Sequence, residues 1–319
     1  MVTDDRKFFE YAKRVFSERA EVEGEGCRTR KDILHHILNG TDLMTGASFS
    51  REQLAMESSL LIAAGADTTS LTLAATFFYL LHNPRVLETL LKELRSACSS
   101  EDKDRVTPSQ LVGLPYLRAV IDETLRLAPP VPSMLPREVL KGGIVLDGFH
   151  IPEGTIVGVP AYAIHRNPEY FPEPNAFYPE RWIANDRSQF TASMPSIFPK
   201  ITRTPESVSL ARQAFFPFSQ GSRGCIGRQL AYYELHTALA LILSDFDIRL
   251  ARDSLTQRPV VDSTDWRDGV ISTLDPKHGD GSKETWRDER KREDEYQIFD
   301  RFLSDRNGPM VEFRERVSE

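Results

Sequence analysis

Cysteine is scarce in this chain, with three among 319 residues, at Cys27, Cys98 and Cys225, an odd number at wide spacing. That excludes a disulfide framework and a paired CxxC zinc site, points to a reducing compartment, and leaves any special cysteine to act alone. A basic block is also missing. Lys and Arg number 40 against 47 Asp and Glu, for a net charge of −7, so there is no electrostatic footprint for wrapping nucleic acid. The first ten residues, MVTDDRKFFE, lack the apolar centre of a signal peptide. Nor is there an uninterrupted apolar run. The longest, 54–81, is broken by Glu57, Gly65, Asp67 and threonines at 68, 69, 72 and 76, so it reads as a long buried helix, a membrane span being the lesser alternative. At 40% hydrophobic and 27% charged residues, what remains is a globular chain with length enough for one large domain or two ordinary ones.

Apolar spacing (Phe8, Phe9, Ala12, Val15, Phe16) predicts a helix over 4–22, followed by a polar loop at 23–30 and a short helix near Ile33 to Leu38. Ser50 opens SREQ, a capping-box pattern completed by Gln53, so the long helix should begin there and run to about Leu81. His82-Asn83-Pro84 ends it. Two more helices are predicted near Val86 to Ser96 and Leu117 to Leu127, the second stopped by Pro129-Pro130. From 137 to 160, Val, Ile, Gly and Pro dominate, the pattern of short strands joined by turns. Proline-rich residues 166–222 lack periodicity and predict a long ordered loop. After Gly227 a helix resumes with Leu230, Leu235, Leu239, Ile242 and Leu243 as its core face. Densely charged 277–296 reads as an exposed excursion and VEFRERV as a closing strand.

The most specific stretch is FSQGSRGCIG, 218–227. Gly221, Gly224 and Gly227 permit tight turns around one thiol, with the Arg223 cation nearby. A thiol just ahead of a helix amino terminus is favoured as thiolate, and such a thiolate can be a nucleophile or a metal ligand. No partner His with an orienting acid or amide is identifiable for the nucleophile reading.

This stretch resembles the haem-ligand signature of the cytochrome P450 family, Phe-x-x-Gly-x-Arg-x-Cys-x-Gly, at every fixed position. The resemblance implies that Cys225 is the proximal thiolate of a haem iron, donating electron density that favours O–O cleavage. It also implies that Arg223 binds a haem propionate, that Phe218 packs beside the thiolate, and that Gly221 and Gly227 let the loop pass close under the porphyrin. Three further motifs follow in the family's order. Ala64-Gly65-Ala66-Asp67-Thr68-Thr69 looks like the oxygen-activation motif. Helical spacing puts Gly65 and Thr68 on one face, leaving a gap and a hydroxyl there, and the resemblance makes Thr68 and Asp67 the residues that steer protons to dioxygen. A hydroxyl bonded back to a helix carbonyl is the purely structural alternative. Glu123-Thr124-Leu125-Arg126 is ExxR, which by resemblance forms a buried network with Arg181 of Pro179-Glu180-Arg181-Trp182, fixing the long loop rather than catalysing. LAPPVPSMLPRE also matches; it makes Arg137 a second propionate ligand and turns 131–135 toward substrate.

The implied fold is mainly α with small β-sheets, the carboxy-terminal part of the cytochrome P450 fold, occupying 1–319 as a single partial domain. Its sections are lead-in helices over 1–50, the oxygen-activation and ExxR helices over 51–130, the β region and long loop over 131–222, and the haem-ligand loop, following helix and terminal strands over 223–319. The implied protein is a haem-thiolate monooxygenase carrying haem b (iron protoporphyrin IX). It inserts one oxygen atom into a small organic substrate with electrons from a separate NADPH-cytochrome P450 reductase, since no GxGxxG fingerprint is present. The segment arrangement looks most like fungal microsomal members that modify secondary metabolites, which for a full-length member implies the cytoplasmic face of the endoplasmic reticulum membrane. Only 63 residues precede Ala64, so the expectation is an amino-terminally truncated member, without an anchor and cytoplasmic by itself. A non-catalytic haem-binding or interaction fragment stays open as the alternative.

Overall fold

The structure is a computed structural model that describes residues 2–24, 31–42, 44–98, 108–184, 203–250, 295–296, 298–301, 303–306, 309 and 311–316. The charged excursion over 277–296 lies outside these apart from its last two residues, as do 23–30 from residue 25 onward and 185–202 of the long loop. The chain divides into two units, 1–68 and 69–319, with the boundary inside one helix.

The first unit holds α1 (Val2–Gly24), α2 (Ile33–Leu38) and the start of α3 (Arg51–His82). Asp32 caps α2 by accepting from His35 N at 2.9 Å, and it also pairs with Arg19 of α1 at 3.3 Å. The capping box forms as the sequence predicts. Gln53 N donates to Ser50 Oγ at 3.2 Å and Ser50 N donates to Gln53 Oε1 at 2.8 Å, so two otherwise orphaned donors are satisfied. The expectation of a wholly buried α3 does not hold. Met56 is 68% and Leu60 60% exposed, while the buried apolar side chains gather from Leu71 to Leu80. Composition alone cannot separate these halves, because burial is set by tertiary partners that the helix period does not encode.

In the second unit the carboxyl half of α3 packs its apolar face into a core shared with α4 (Pro84–Cys98), α6 (Pro115–Leu127) and α9 (Arg228–Asp245). Between α4 and α6 comes α5 (Pro108–Val112), a helix that the sequence pattern does not predict. The β region is two small antiparallel pairs: β1 (Arg137–Glu138) with β4 (Ile156–Val157), and β2 (Ile144–Leu146) with β3 (Phe149–Ile151). Asp147 at φ 48° and Gly148 at φ 82° make the β2–β3 turn, left-handed values that Asp and Gly accept at little cost. The short helix α7 (Ala161–Ile164) follows.

The long loop is only partly a loop. Pro179–Trp182 forms a 3-10 turn, and α8 (Pro205–Gln213) is a true helix, with Thr204 accepting from Ser207 N at 3.2 Å and Pro205 in its first turn. Proline there starts a helix instead of breaking one. On α9 the buried face is Tyr232, Leu235, His236, Leu239, Ala240 and Leu243. Leu230, expected in the core, is 46% exposed, because it lies in the first turn beside the open cysteine loop. After α9, β5 (Phe246–Leu250) pairs in antiparallel register with β8 (Val311–Glu315), the predicted closing strand, and β6 (Ile298–Arg301) pairs with β7 (Leu303–Arg306).

One contact shows how the helices are seated. Glu93 of α4, itself buried, accepts from Tyr116 N and Leu117 N, both at 2.8 Å. A carboxylate thus sits on the positive end of α6. Burial raises its pKa, opposed by those two donors. Glu93→Ala strands two buried N–H groups and is expected to cost about 1–3 kcal/mol per group. Urea unfolding checks it, with Glu93→Gln, which keeps an acceptor, falling between Ala and wild type; a Glu93→Ala midpoint equal to wild type would contradict the capping role.

Candidate functional site

The cysteine loop leaves α8 through Ala214 and Phe215 and enters α9 at Arg228. Its backbone is pinned at both ends. Ser219 N donates to Phe216 O at 3.0 Å, Gly224 N to Gly221 O at 3.0 Å, and Cys225 N to Phe218 O at 2.8 Å. Ser219 at φ 59° and Gly221 at φ 70° are left-handed, the first a conformation that a non-glycine residue adopts only when its surroundings enforce it. A Cβ at 224 would come within 3.2 Å of Gly221 O, so glycine at 221 and 224 answers to backbone geometry. The Cys225 thiol is free and exposed. Residues 221–226 are all open, Ile226 being 97% exposed. Phe218 is half-buried with its ring 5.1 Å from that of Tyr232.

Phe218, Gly221, Arg223, Cys225 and Gly227 are therefore gathered in one exposed loop at the start of α9. The donor set suits a haem: a soft thiol at the surface and an exposed Arg223 guanidinium, beside Gly227, whose position lies within ordinary contact of Cys225 Sγ, 3.8 Å from where a Cβ would sit. Arg137 is exposed on β1, its Nη1 donating to Pro136 O at 2.9 Å. Gly65, Asp67 and Thr68 belong to the other unit. There, residues 64–67 are exposed, a Cβ on Gly65 would meet nothing within 4 Å, and Thr68 Oγ1 donates to Ala64 O at 2.7 Å. That is the back-bond of the structural alternative, formed beside an open small-residue surface.

The ExxR network is assembled in full. Glu123 and Arg126 are each 0% exposed and Arg181 4%. Arg126 is bidentate to Glu123, Nε to Oε2 and Nη2 to Oε1, both at 2.9 Å. Arg181 Nε donates to Oε1 at 2.9 Å. The sequence did not reveal two further donors, Tyr178 N to Oε1 at 2.9 Å and Trp182 Nε1 to Oε2 at 3.0 Å. Five donors thus converge on one carboxylate. The guanidinium ends are taken up by the loop itself, Arg126 by the carbonyls of His165, Pro174 and Ala176, Arg181 by those of Pro172 and Glu173. Burial alone would raise the Glu123 carboxyl, but Arg126 and Arg181 outweigh it and hold it below the usual value.

Neighbouring buried carboxylates repeat the device in roles that the motifs do not announce. Glu180 accepts from Arg85 at 2.6 Å and Tyr116 OH at 2.8 Å. Asp122 accepts from Arg118 Nε at 3.0 Å and Tyr232 OH at 2.7 Å, and Arg118 lies 3.6 Å over the Tyr232 ring. His165, fully buried, accepts Phe216 N at 3.1 Å on Nε2. The available signal was weak: polar residues on a helix with an otherwise apolar face.

A family model described as Cytochrome P450 matches residues 2–266. The chain is 37% identical over 287 residues to a cytochrome P450 monooxygenase of Gibberella zeae, covering 90% of this chain and 56% of that protein. It is 37% identical over 315 residues to cytochrome P450 monooxygenase apf7 of Gibberella fujikuroi, covering 97% and 51%, and 36% identical over 311 residues to cytochrome P450 monooxygenase atnE of Emericella nidulans, covering 98% and 50%. The chain thus spans about half the length of the curated relatives it matches. Among solved structures, the cytochrome P450DA heme domain shares its fold with a TM-score of 0.68 at 24% identity, over 99% of this chain and 55% of that one.

The buried groups fix the direction of acid sensitivity. The Glu123 carboxyl lies below its ordinary value of 4.5, so its stabilisation is complete above that pH and lost as pH falls through the lower folded value. Burial, then the Arg126 charge, lowers the His165 pKa from 6.5 to about 3. Between those values the unfolded imidazole binds a proton that the folded one refuses, so stability falls as pH drops through that window. Urea midpoints are expected to decline steadily from pH 6.5 to 4, and Glu123→Gln, which breaks the buried pairs, to cost about 3–5 kcal/mol at pH 7. A flat pH profile, or an unchanged Glu123→Gln midpoint, would contradict this account.

Proposed function

Since this chain belongs to the cytochrome P450 family, we propose that it is a haem-thiolate monooxygenase, and that 1–319 is one partial domain of that fold. The proposed reaction inserts one atom of O2 into a C–H bond of a small organic, secondary-metabolite-like substrate. The other oxygen leaves as water, balanced by two protons and two electrons from an NADPH-dependent reductase. Family membership implies haem, and we take it to be haem b. When bound, the haem supplies the oxidising centre at which dioxygen is cleaved.

The observation that carries this reading is the free, exposed Cys225 thiol at the end of a loop whose backbone is fixed on both sides of it. Cys225 Sγ would be the anionic axial ligand, a softer and stronger donor than a neutral imidazole. Arg223 and Arg137, both exposed, would neutralise the propionates. Phe218 would shield one side of the sulfur. Gly221 and Gly227 would keep the approach free of side chains. On α3, Gly65 would leave a gap over the flat cofactor. Asp67 would take protons from water, and Thr68 Oγ1 would pass them on, which requires the hydroxyl to leave Ala64 O. Glu123, Arg126 and Arg181 would touch neither substrate nor cofactor, serving to hold the loop.

The secondary-metabolite substrate class is supported by the fungal monooxygenases the chain resembles. For the full-length protein we propose association with the cytoplasmic face of the endoplasmic reticulum membrane. Among the described residues one helix, Arg51–His82, is long and apolar enough to cross a bilayer. Its buried carboxyl half supports a core helix instead. The acidic balance gives no support to nucleic acid as a partner.

Purified chain given haem, reduced and exposed to carbon monoxide is expected to show the long-wavelength Soret band of a thiolate-ligated haem. Cys225→Ser should abolish that band. Well-folded protein that takes up no haem would favour the non-catalytic fragment instead, and an unchanged Cys225→Ser spectrum would sink the ligand assignment. With reductase and a turned-over substrate, Thr68→Ala should keep haem and oxygen consumption but yield less product per oxygen consumed. Unchanged coupling would remove Thr68 from the proton path.

A further inference from the structure

His165 occupies an unusual position between the ion network and the cysteine loop. It ends α7, its own N–H donating to Ala161 O at 2.9 Å, and its carbonyl receives Arg126 Nη1 at 2.8 Å. Its side chain then turns the other way, Nε2 accepting Phe216 N at 3.1 Å. The ring lies among Phe171, Phe215 and Phe216, with centroids 6.2, 5.4 and 5.2 Å away. One residue therefore holds the Glu123–Arg126 pair with its backbone and the entrance of the cysteine loop with its imidazole.

We propose that His165 is a positioning residue for the Cys225 loop, its neutral imidazole serving as the acceptor that fixes the Phe216 amide and through it the turn that places the thiol. The proposal builds on the haem-thiolate reading and adds a residue that the signature motifs do not contain. From Phe216 the constraint passes along the backbone. Phe216 O receives Ser219 N at 3.0 Å, which holds Ser219 at φ 59°, and Phe218 O receives Cys225 N at 2.8 Å. An imidazole can accept at Nε2 only when its proton is on Nδ1. Among the described residues that Nδ1 has no hydrogen-bond partner, and a second proton would have to go on Nε2, where it would displace the Phe216 N–H. Burial beside the Arg126 guanidinium acts in the same direction. A parallel arm gives the loop shape without this specificity: the Trp182 ring, hydrogen-bonded to Glu123, packs 4.7 Å from Phe215. That arm offers no acceptor to the Phe216 amide, which His165 alone receives among the described residues.

The test compares wild type, His165→Gln and His165→Leu as haem-loaded full chains. Glutamine can present an oxygen near the place of Nε2, whereas leucine fills the space and leaves the half-buried Phe216 N–H without that acceptor. In the reduced carbon monoxide complex, His165→Leu is expected to convert from the thiolate to the thiol Soret band roughly tenfold faster than wild type or more, with glutamine restoring most of the difference. Leucine equal to wild type would overturn the proposal, as would glutamine as fast as leucine, since either result makes the acceptor irrelevant. If His165→Leu does not fold, amide exchange decides the matter: His165→Gln should keep the Phe216 and Cys225 amides protected, and His165→Ala should expose both. Equal protection in the two would overturn the proposal. The same exchange measurement needs no haem. A wild-type chain that fails to take up haem therefore defeats the haem-thiolate reading while leaving the role of His165 to be judged separately.

Discussion

A carboxylate with no access to water stays ionised only if protein groups replace its whole hydration shell, and Glu123 meets that condition with five donors from two separate segments. Two of them come from Arg126, one turn along the same helix. The remaining three come from Tyr178, Arg181 and Trp182, in a stretch with almost no regular structure of its own. That asymmetry explains how the irregular stretch over 165–184 keeps a defined course. It is organised by a charge it must satisfy, and its carbonyls in turn satisfy the guanidiniums. Replacing the set with apolar residues need not reduce stability; what would be lost is the single arrangement in which the cysteine loop has a fixed starting point.

The same helix exports this order in two directions. Glu123 acts on the Phe215–Phe216 entrance through Trp182 and through the Arg126–His165 pair. Asp122, one residue earlier, holds Tyr232 of α9, whose ring meets Phe218. The loop bearing Cys225 is therefore gripped where it enters and where it leaves, while 221–226 stay open. A rigid frame around an exposed thiol suits the haem-ligand role proposed for Cys225, since a ligand held loosely would exchange or protonate.

Much of this was legible in the sequence because local rules and local structure agree. The Ser50–Gln53 box, the Asn83-Pro84 break and the Gly227 start of α9 each depend on a few adjacent residues. The signature loop was legible for another reason, since its glycines answer to backbone angles that few residues adopt. What escaped was tertiary. Nothing local distinguishes the exposed half of α3 from its buried half, or marks Leu230 as open and Tyr232 as closed. The Pro205 helix was missed because one residue type both starts and stops helices. His165, Asp122 and the Trp182 indole gain their roles from partners between 51 and 110 residues away, which no spacing rule reaches.

The central claim, that the buried Glu123 charge holds the cysteine loop, is tested most directly by amide exchange at Phe216, Ser219 and Cys225 in wild type and Glu123→Gln under native conditions. Those three amides are expected to lose protection in the variant, while amides in the β5–β8 pair, which among the described residues shares no hydrogen-bond partner with the network, keep theirs. Wild-type protection at Cys225 in folded Glu123→Gln would contradict the account, because the loop would then be holding itself.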